Sequence, residues 1–243
     1  VTYGNSIFVA VGTYGTVMTS QDNGITWISR ESAADNLWWG VTYGNDLFVA
    51  VGSFGTIRTS PTVMTSPNGI TWTSQSSAAD NVWYSVTYGK GIFVAVSYSG
   101  TGNRVMTSSD GKVWSSQKSA SNNDWFSVTY GDGIFVAVSI SGTGNRVMTS
   151  PDGIEWTSRV SAANNEWISV TYGNNIFVAA SSTGVMTSPN GINWTSHKSA
   201  ADNYWNSVTY GGGFFVAVSY SGTDRVMTSE DGIVWTGRTV ATD

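Results

Sequence analysis

The chain has 243 residues, of which only 11% are charged, and 11 Lys and Arg against 16 Asp and Glu give a net charge of −5. With no basic stripe to neutralise phosphates, the composition argues against nucleic acid as a partner and against anionic membrane surfaces, and no apolar run reaches the length needed for membrane insertion. Cysteine is absent, so there is no disulfide framework and no thiolate chemistry, which fits any compartment.

One stretch of text recurs along the chain. V-T-Y-G begins at Val1, Val41, Val86, Val128, Val170 and Val208, at intervals of 40, 45, 42, 42 and 38 residues, with a last partial interval of 36 to Asp243. A period near 40 holding several short apolar runs is the signature of a β-propeller. Each copy needs neighbours to bury its faces. Residues 1–243 therefore read as one all-β domain, a six-bladed β-propeller of four-stranded blades with about 42 residues per repeat.

Within a copy, four strands follow in order. Strand a is W-x-S-V-T-Y, ending at a G-N, G-K, G-D or G-G dipeptide of the kind that makes a tight hairpin. Strand b is I-F-V-A-V, as in Ile92 to Val96, apolar without alternation, so both faces should be buried. Strand c is V-M-T-S and holds all six Met; strand d is I-x-W-T-S. Eleven of the 12 Trp fall at two repeat positions, one after the c–d turn and one before V-T-Y, and only Trp39 is extra.

Two copies depart from the pattern. The second repeats Thr59-Ser60-Pro61 as Thr65-Ser66-Pro67, which should lengthen its b–c loop, and the fifth runs from Ser181-Ser182-Thr183-Gly184 directly into Val185. Asp243 aligns with Asp202, so the two termini are expected to meet, with about five residues of the repeat missing at the seam.

The c–d turn reads Ser20-Gln21-Asp22-Asn23-Gly24-Ile25-Thr26-Trp27 in the first copy and is one residue shorter in the other five, with Asn68 and Asn190 replacing Asp in two of them. It resembles the Asp-box, also called the BNR repeat, S-x-D-x-G-x-x-W. The resemblance spans every blade. It implies a propeller of a kind found in sialidases, other glycoside hydrolases and non-enzymatic propellers, among them photosystem assembly factors. The turn itself has a local explanation: Asp or Asn accepts a backbone N–H two residues on, Gly takes the positive φ, and Trp covers the hairpin base.

A sialidase-like active site is asymmetric, with an arginine cluster, a Tyr–Glu pair and an Asp acid. Here each blade carries nearly the same residues, and the F/Y-R-I-P segment is absent. Retaining glycosidases need two carboxyls about 5 Å apart, and none of Glu31, Glu155, Glu166 and Glu230 falls in strand a. The only histidine, His197, lies where other copies have Arg30, Gln75, Gln117, Arg159 and Arg238. No nucleotide or zinc-protease fingerprint occurs. A non-catalytic protein is expected, without cofactor or metal.

The d–a and b–c loops should share one face of each blade. The d–a loops offer Asp35, Asp80, Asn122, Asn164 and Asp202, each followed by Asn: Asn36, Asn81, Asn123, Asn165 and Asn203. Two residues on stand Trp38, Trp83, Trp125, Trp167 and Trp205. The b–c loops add Arg104, Arg146 and Arg225. Planar polar groups beside an aromatic face are what hydroxyls and the C–H face of a sugar need, and repetition would give avidity. These residues, together with Trp39, Tyr84 and Phe126 next to the Trp, are therefore candidate ligand groups of a multivalent lectin for soluble or cell-surface glycans, and a secreted or cell-surface location is expected. A protein-interaction scaffold is the alternative and a sialidase-like glycoside hydrolase the second. The same Asn residues could instead cap loop backbone, and the Trp could be core. The residue after each Trp, however, is Trp39, Tyr84, Phe126, Ile168 or Asn206, a range of volume that no packed interior tolerates cheaply, so this position should be partly exposed.

Overall fold

The computed structural model describes residues 1–55, 61–222 and 224–239. Thr59 and Ser60 of the duplicated segment, and the Asp243 end of the seam, lie outside the described residues.

The chain divides into two compact units, Val1–Asn122 and Asn123–Asp243. The first unit holds three sheets. They are β1 (Thr2–Gly4), β2 (Ile7–Val11), β3 (Val17–Ser20) and β4 (Ile28–Arg30); β5 (Leu37–Gly44), β6 (Leu47–Ser53), β7 (Val63–Ser66) and β8 (Thr73–Gln75); and β9 (Trp83–Gly89), β10 (Ile92–Ser97), β11 (Val105–Ser108) and β12 (Ser115–Gln117). The second unit holds three more: β13 (Trp125–Gly131), β14 (Ile134–Ser139), β15 (Val147–Ser150) and β16 (Thr157–Arg159); β17 (Trp167–Gly173), β18 (Ile176–Ser181), β19 (Gly184–Ser188) and β20 (Thr195–His197); and β21 (Trp205–Gly211), β22 (Phe214–Ser219), β23 (Val226–Ser229) and β24 (Thr236–Arg238). Every sheet is an antiparallel meander of four strands in chain order, and the described residues contain no helix. The fold class is the six-bladed β-propeller.

The hairpin joining the first two strands of a blade turns through two successive left-handed residues, such as Asn45 and Asp46 (φ 49° and 55°) or Lys90 and Gly91 (φ 51° and 82°), the geometry that matches strand twist. The last strand is shorter than I-x-W-T-S suggests. β8 starts at Thr73, one residue after Trp72, because the tryptophan closes the turn instead of joining the ladder.

Within each unit the blades pack by one rule. Val49, Val51 and Val63 of one blade meet Trp83, Phe93, Ala95, Met106 and Trp114 of the next. Val178, Ala180 and Val185 meet Trp205, Phe215, Ala217, Met227 and Trp235 in the same way. The unalternated apolar strand is thus read on both faces, and Phe93 to Val96 are fully buried. Phe93, Val94 and Val96 each contribute about 1.5–3 kcal/mol of burial. β22 differs: Phe215 and Ala217 are buried against the preceding blade, whereas Phe214 and Val218 are exposed.

The constant V-T-Y-G has its own task at the blade junctions. The ring of Tyr43 lies over Gly4, Tyr88 over Gly44, Tyr172 over Gly131 and Tyr210 over Gly173, so close that a Cβ on any of these glycines would land in the ring. Each tyrosine also packs on the phenylalanine of its own blade, as Tyr88 does on Phe93 with centroids 4.7 Å apart.

Candidate functional site

The turns resembling the Asp-box are built as local chemistry requires. Asp110 Oδ1 accepts the N–H groups of Lys112 and Val113, each at 2.9 Å, and the hydroxyl of Ser108 at 3.0 Å. Gly111 sits at φ 73°, and the Trp114 indole donates to its carbonyl at 3.0 Å. Asn68 does the same work, accepting from Ile70 and Thr71 at 2.9 and 3.0 Å. In the longer first turn, the hydroxyl and then the N–H of Thr26, with Ser20, hold the Asp22 carboxyl at about 2. Among the described residues, no three His, Cys, Asp or Glu side chains gather as a metal would require. His197 Nε2 lies 2.8 Å from Thr187 Oγ1, the bond that Gln75 makes to Thr65 and Arg159 to Thr149 in their blades.

The d–a and b–c loops do meet at one end of each blade, but most candidate ligand groups there are committed to the fold. Trp83, Trp125, Trp167 and Trp205 have no exposed surface and Trp38 only 1%, so no ring face remains for a ligand. The indoles of Trp83, Trp167 and Trp205 donate to Ala79, Ala163 and Ala201, and that of Trp38 to Ser32, tying the d–a loop down onto its own blade.

The asparagine that follows each Asp or Asn clips one loop to the other. Asn36 Nδ2 donates to the Pro61 carbonyl, Asn81 to Asn103, Asn123 to Asn145 and Asn203 to Asp224, at 2.6–2.9 Å. Asn165, whose b–c loop is short, reaches Ser181 Oγ at 3.4 Å. Buried amides so engaged are loop caps. The arginines wrap their own loops, Arg104 donating to Gly100 and Tyr98, Arg146 to Gly142 and Ile140, and Arg225 to Gly222, and Arg146 also donates to the Asn165 carbonyl of the next blade's d–a loop. Asp35, Asp80 and Asp202 are exposed, as are Asn122 and Asn164, which also accept the N–H of Gly102 and Gly144 at 2.6 Å.

The variable position stands apart. In the second to sixth blades the ladder slips by one residue, Trp83 pairing with Ser97 and Ser85 with Val96, which leaves Tyr84 as the bulge. Trp39, Phe126, Ile168 and Asn206 occupy the same bulge in their strands. A bulge frees a side chain from the alternation of its strand and re-aims it, which explains why residues as different as Trp39 and Asn206 are accommodated here. Trp39 is 40% exposed and its indole donates to Ser53 Oγ at 3.1 Å. It stacks on Tyr84, which in turn meets Tyr98 at 5.9 Å between centroids. Burial and then the neighbouring Tyr98 raise the Tyr84 phenol above its ordinary value. The result in the first unit is an aromatic patch across two blades, with Tyr98 itself exposed.

Tyr98 was not marked by the Asp-Asn-x-Trp pattern, because it opens the b–c loop. By the strand register the corresponding position holds Ser53, Ile140, Ser182 and Tyr220 in other blades, and comparing copies there would have singled it out.

No protein-family model matches the chain, and no curated protein matches it. Solved structures do resemble it. One titled as YCF48 bound to D1 peptide superposes with a TM-score of 0.68 at 16% identity, covering 97% of this chain and 80% of the other. Streptogramin B lyase gives a TM-score of 0.79 at 9% identity, covering 95% and 78%, and the computationally designed Ika8 protein 0.65 at 13%, covering 98% and 71%. At these identities the likeness is one of fold.

Proposed function

We propose that this is a non-catalytic propeller that binds an extended segment of a protein partner on the face built from the d–a and b–c loops. The observation that carries this reading is the bulge residue. It is the strand-a position that the register slip takes out of the alternation, and it is Trp39 and Tyr84 on adjacent blades, stacked and flanked by Tyr98. Exposed aromatic side chains grouped in a patch are the usual anchors of protein recognition. The structural neighbour that holds a peptide supports the same direction.

A multivalent lectin would need equivalent pockets in each blade. The repeated Trp and Asn that suggested them are consumed by loop architecture, and the bulge residues that remain differ from blade to blade. An asymmetric partner suits that variety better than a repeated sugar.

The test is a random-peptide display selection against the wild-type chain and against Trp39→Ala/Tyr84→Ala, with a glycan array run in parallel. Peptides enriched by the wild type and lost by the double variant support the reading. Equal enrichment by both, or several glycans bound per chain with no peptide, overturns it.

A further inference from the structure

The second unit carries another aromatic group that the repeat does not require. Tyr204 precedes the buried Trp205, at the position held by Leu37, Val82, Asp124 and Glu166 in other blades. Tyr220 opens the b–c loop and is 63% exposed. The two rings lie 5.3 Å apart between centroids and tilt by 40°, so they do not make one flat platform. The Tyr204 hydroxyl donates to Glu166 Oε2, which comes from the d–a loop of the preceding blade. Glu166 is exposed.

The backbone beneath is fixed. Tyr204 N donates to Ser221 Oγ at 3.1 Å, Ser219 Oγ to the Ser221 carbonyl at 2.9 Å, and Asn203 clips the loop to Asp224. Because other blades fold with Leu, Val or Asp in place of Tyr204, and with Ser or Ile in place of Tyr220, this pairing is not demanded by packing.

We propose that Tyr204, Tyr220 and Glu166 form a seat for a basic side chain, Lys or Arg, of a protein partner. The inference rests on the peptide-binding reading above. Two inclined ring faces attract a cation through their quadrupoles, and the adjacent carboxylate supplies the countercharge. The hydroxyl of Tyr204 orients that carboxylate without neutralising it. A sugar would call for one flat open face with planar hydrogen-bonding groups around it, which two rings tilted by 40° do not present. The net charge of −5 favours the approach of a basic segment.

The probe is a fluorescein-labelled 12-residue peptide of alternating Lys and Gly, with its lysine-acetylated twin as control, titrated by fluorescence polarisation. Wild type should bind the basic peptide and not the acetylated one. Tyr220→Ala and Glu166→Gln should each weaken binding roughly five-fold, with unchanged melting temperatures, and added salt should weaken it further. Equal affinity for both peptides, or wild-type affinity in both variants, overturns the seat. The peptide-binding reading is scored separately by the loss of selected peptides in Trp39→Ala/Tyr84→Ala. Selected peptides without basic residues would therefore remove this inference and leave that reading standing.

Discussion

The indole of Trp39 lies within 7° of parallel to the phenol ring of Tyr84, with centroids 4.9 Å apart, and the two rings come from the bulges of adjacent blades. The residue before Trp39 is a second tryptophan with the opposite fate. Trp38 is buried and Trp39 is 40% exposed. Trp38→Ala should cost about 3–5 kcal/mol, as core aromatic truncations do. Trp39→Ala should cost about 0.5–1.5 kcal/mol, the worth of an aromatic pair. Urea denaturation of the two variants checks this, and equal losses would refute the separation of core from bulge.

Asn81 and Asp80 are neighbours with different work. Asn81→Ala leaves the Asn103 carbonyl without its 2.9 Å partner and should cost about 1–3 kcal/mol. Asp80 is exposed, and Asp80→Ala should stay within about 0.5 kcal/mol. Hydrogen exchange should show the b–c amides from Gly100 to Arg104 less protected only in the asparagine variant. Protection lost equally in both would show that the clip does not hold the loop.

Gly173→Ala drives a methyl into the Tyr210 ring, while a Cβ at Gly211 meets nothing within 4 Å. The first substitution should destabilise by about 1–3 kcal/mol through overpacking. The second should be neutral or slightly favourable, since alanine loses less chain entropy in a strand. Thermal melts of the pair decide it, and matching melting temperatures would contradict the tyrosine seat.

Acid should act through the turns. Hydrogen bonds from the Thr26 side chain and backbone and from Ser20 hold Asp22 at about 2, against an ordinary value of 3.8. Backbone N–H groups lower Asp110 and Asp231 as well. A depressed carboxyl value means that the native state binds fewer protons, so the stabilisation is complete above the ordinary value and is lost as pH falls through the folded one. Stability should therefore decline between about pH 4 and 2. Asp110→Asn should melt like wild type at neutral pH, since Asn68 serves the same turn, and should lose less on acidification. A variant as acid-sensitive as the parent would place the titration elsewhere.

The repeat made the fold legible because each constant letter answers a local or nearest-neighbour demand. Gly and Asp set the turns, and Ile-Phe-Val-Ala-Val fills two blade faces at once. The same regularity obscured the site. Asp-Asn-x-Trp looked like a ligand set because it combines polar and aromatic groups, yet burial and loop clipping are long-range outcomes that spacing does not encode. The bulge was half visible: a position running from Trp to Asn cannot be core, but the one-residue slip that frees it depends on pairing with strand b. Tyr98, Tyr204 and Tyr220 stand at loop positions whose variation the copies show, but which of them meet is seen only with the rings in place.

The glycine–tyrosine contact gives the array a standard joint. Gly4 receives Tyr43, Gly44 receives Tyr88, and Gly131 and Gly173 receive Tyr172 and Tyr210. The donor and acceptor halves of that joint are the same four letters in every copy. A repeat inserted or deleted in register therefore brings its own fitting at both ends. Unequal recombination between copies would exchange whole blades without repair at the breakpoints, while the bulge and loop residues were free to be rewritten one blade at a time.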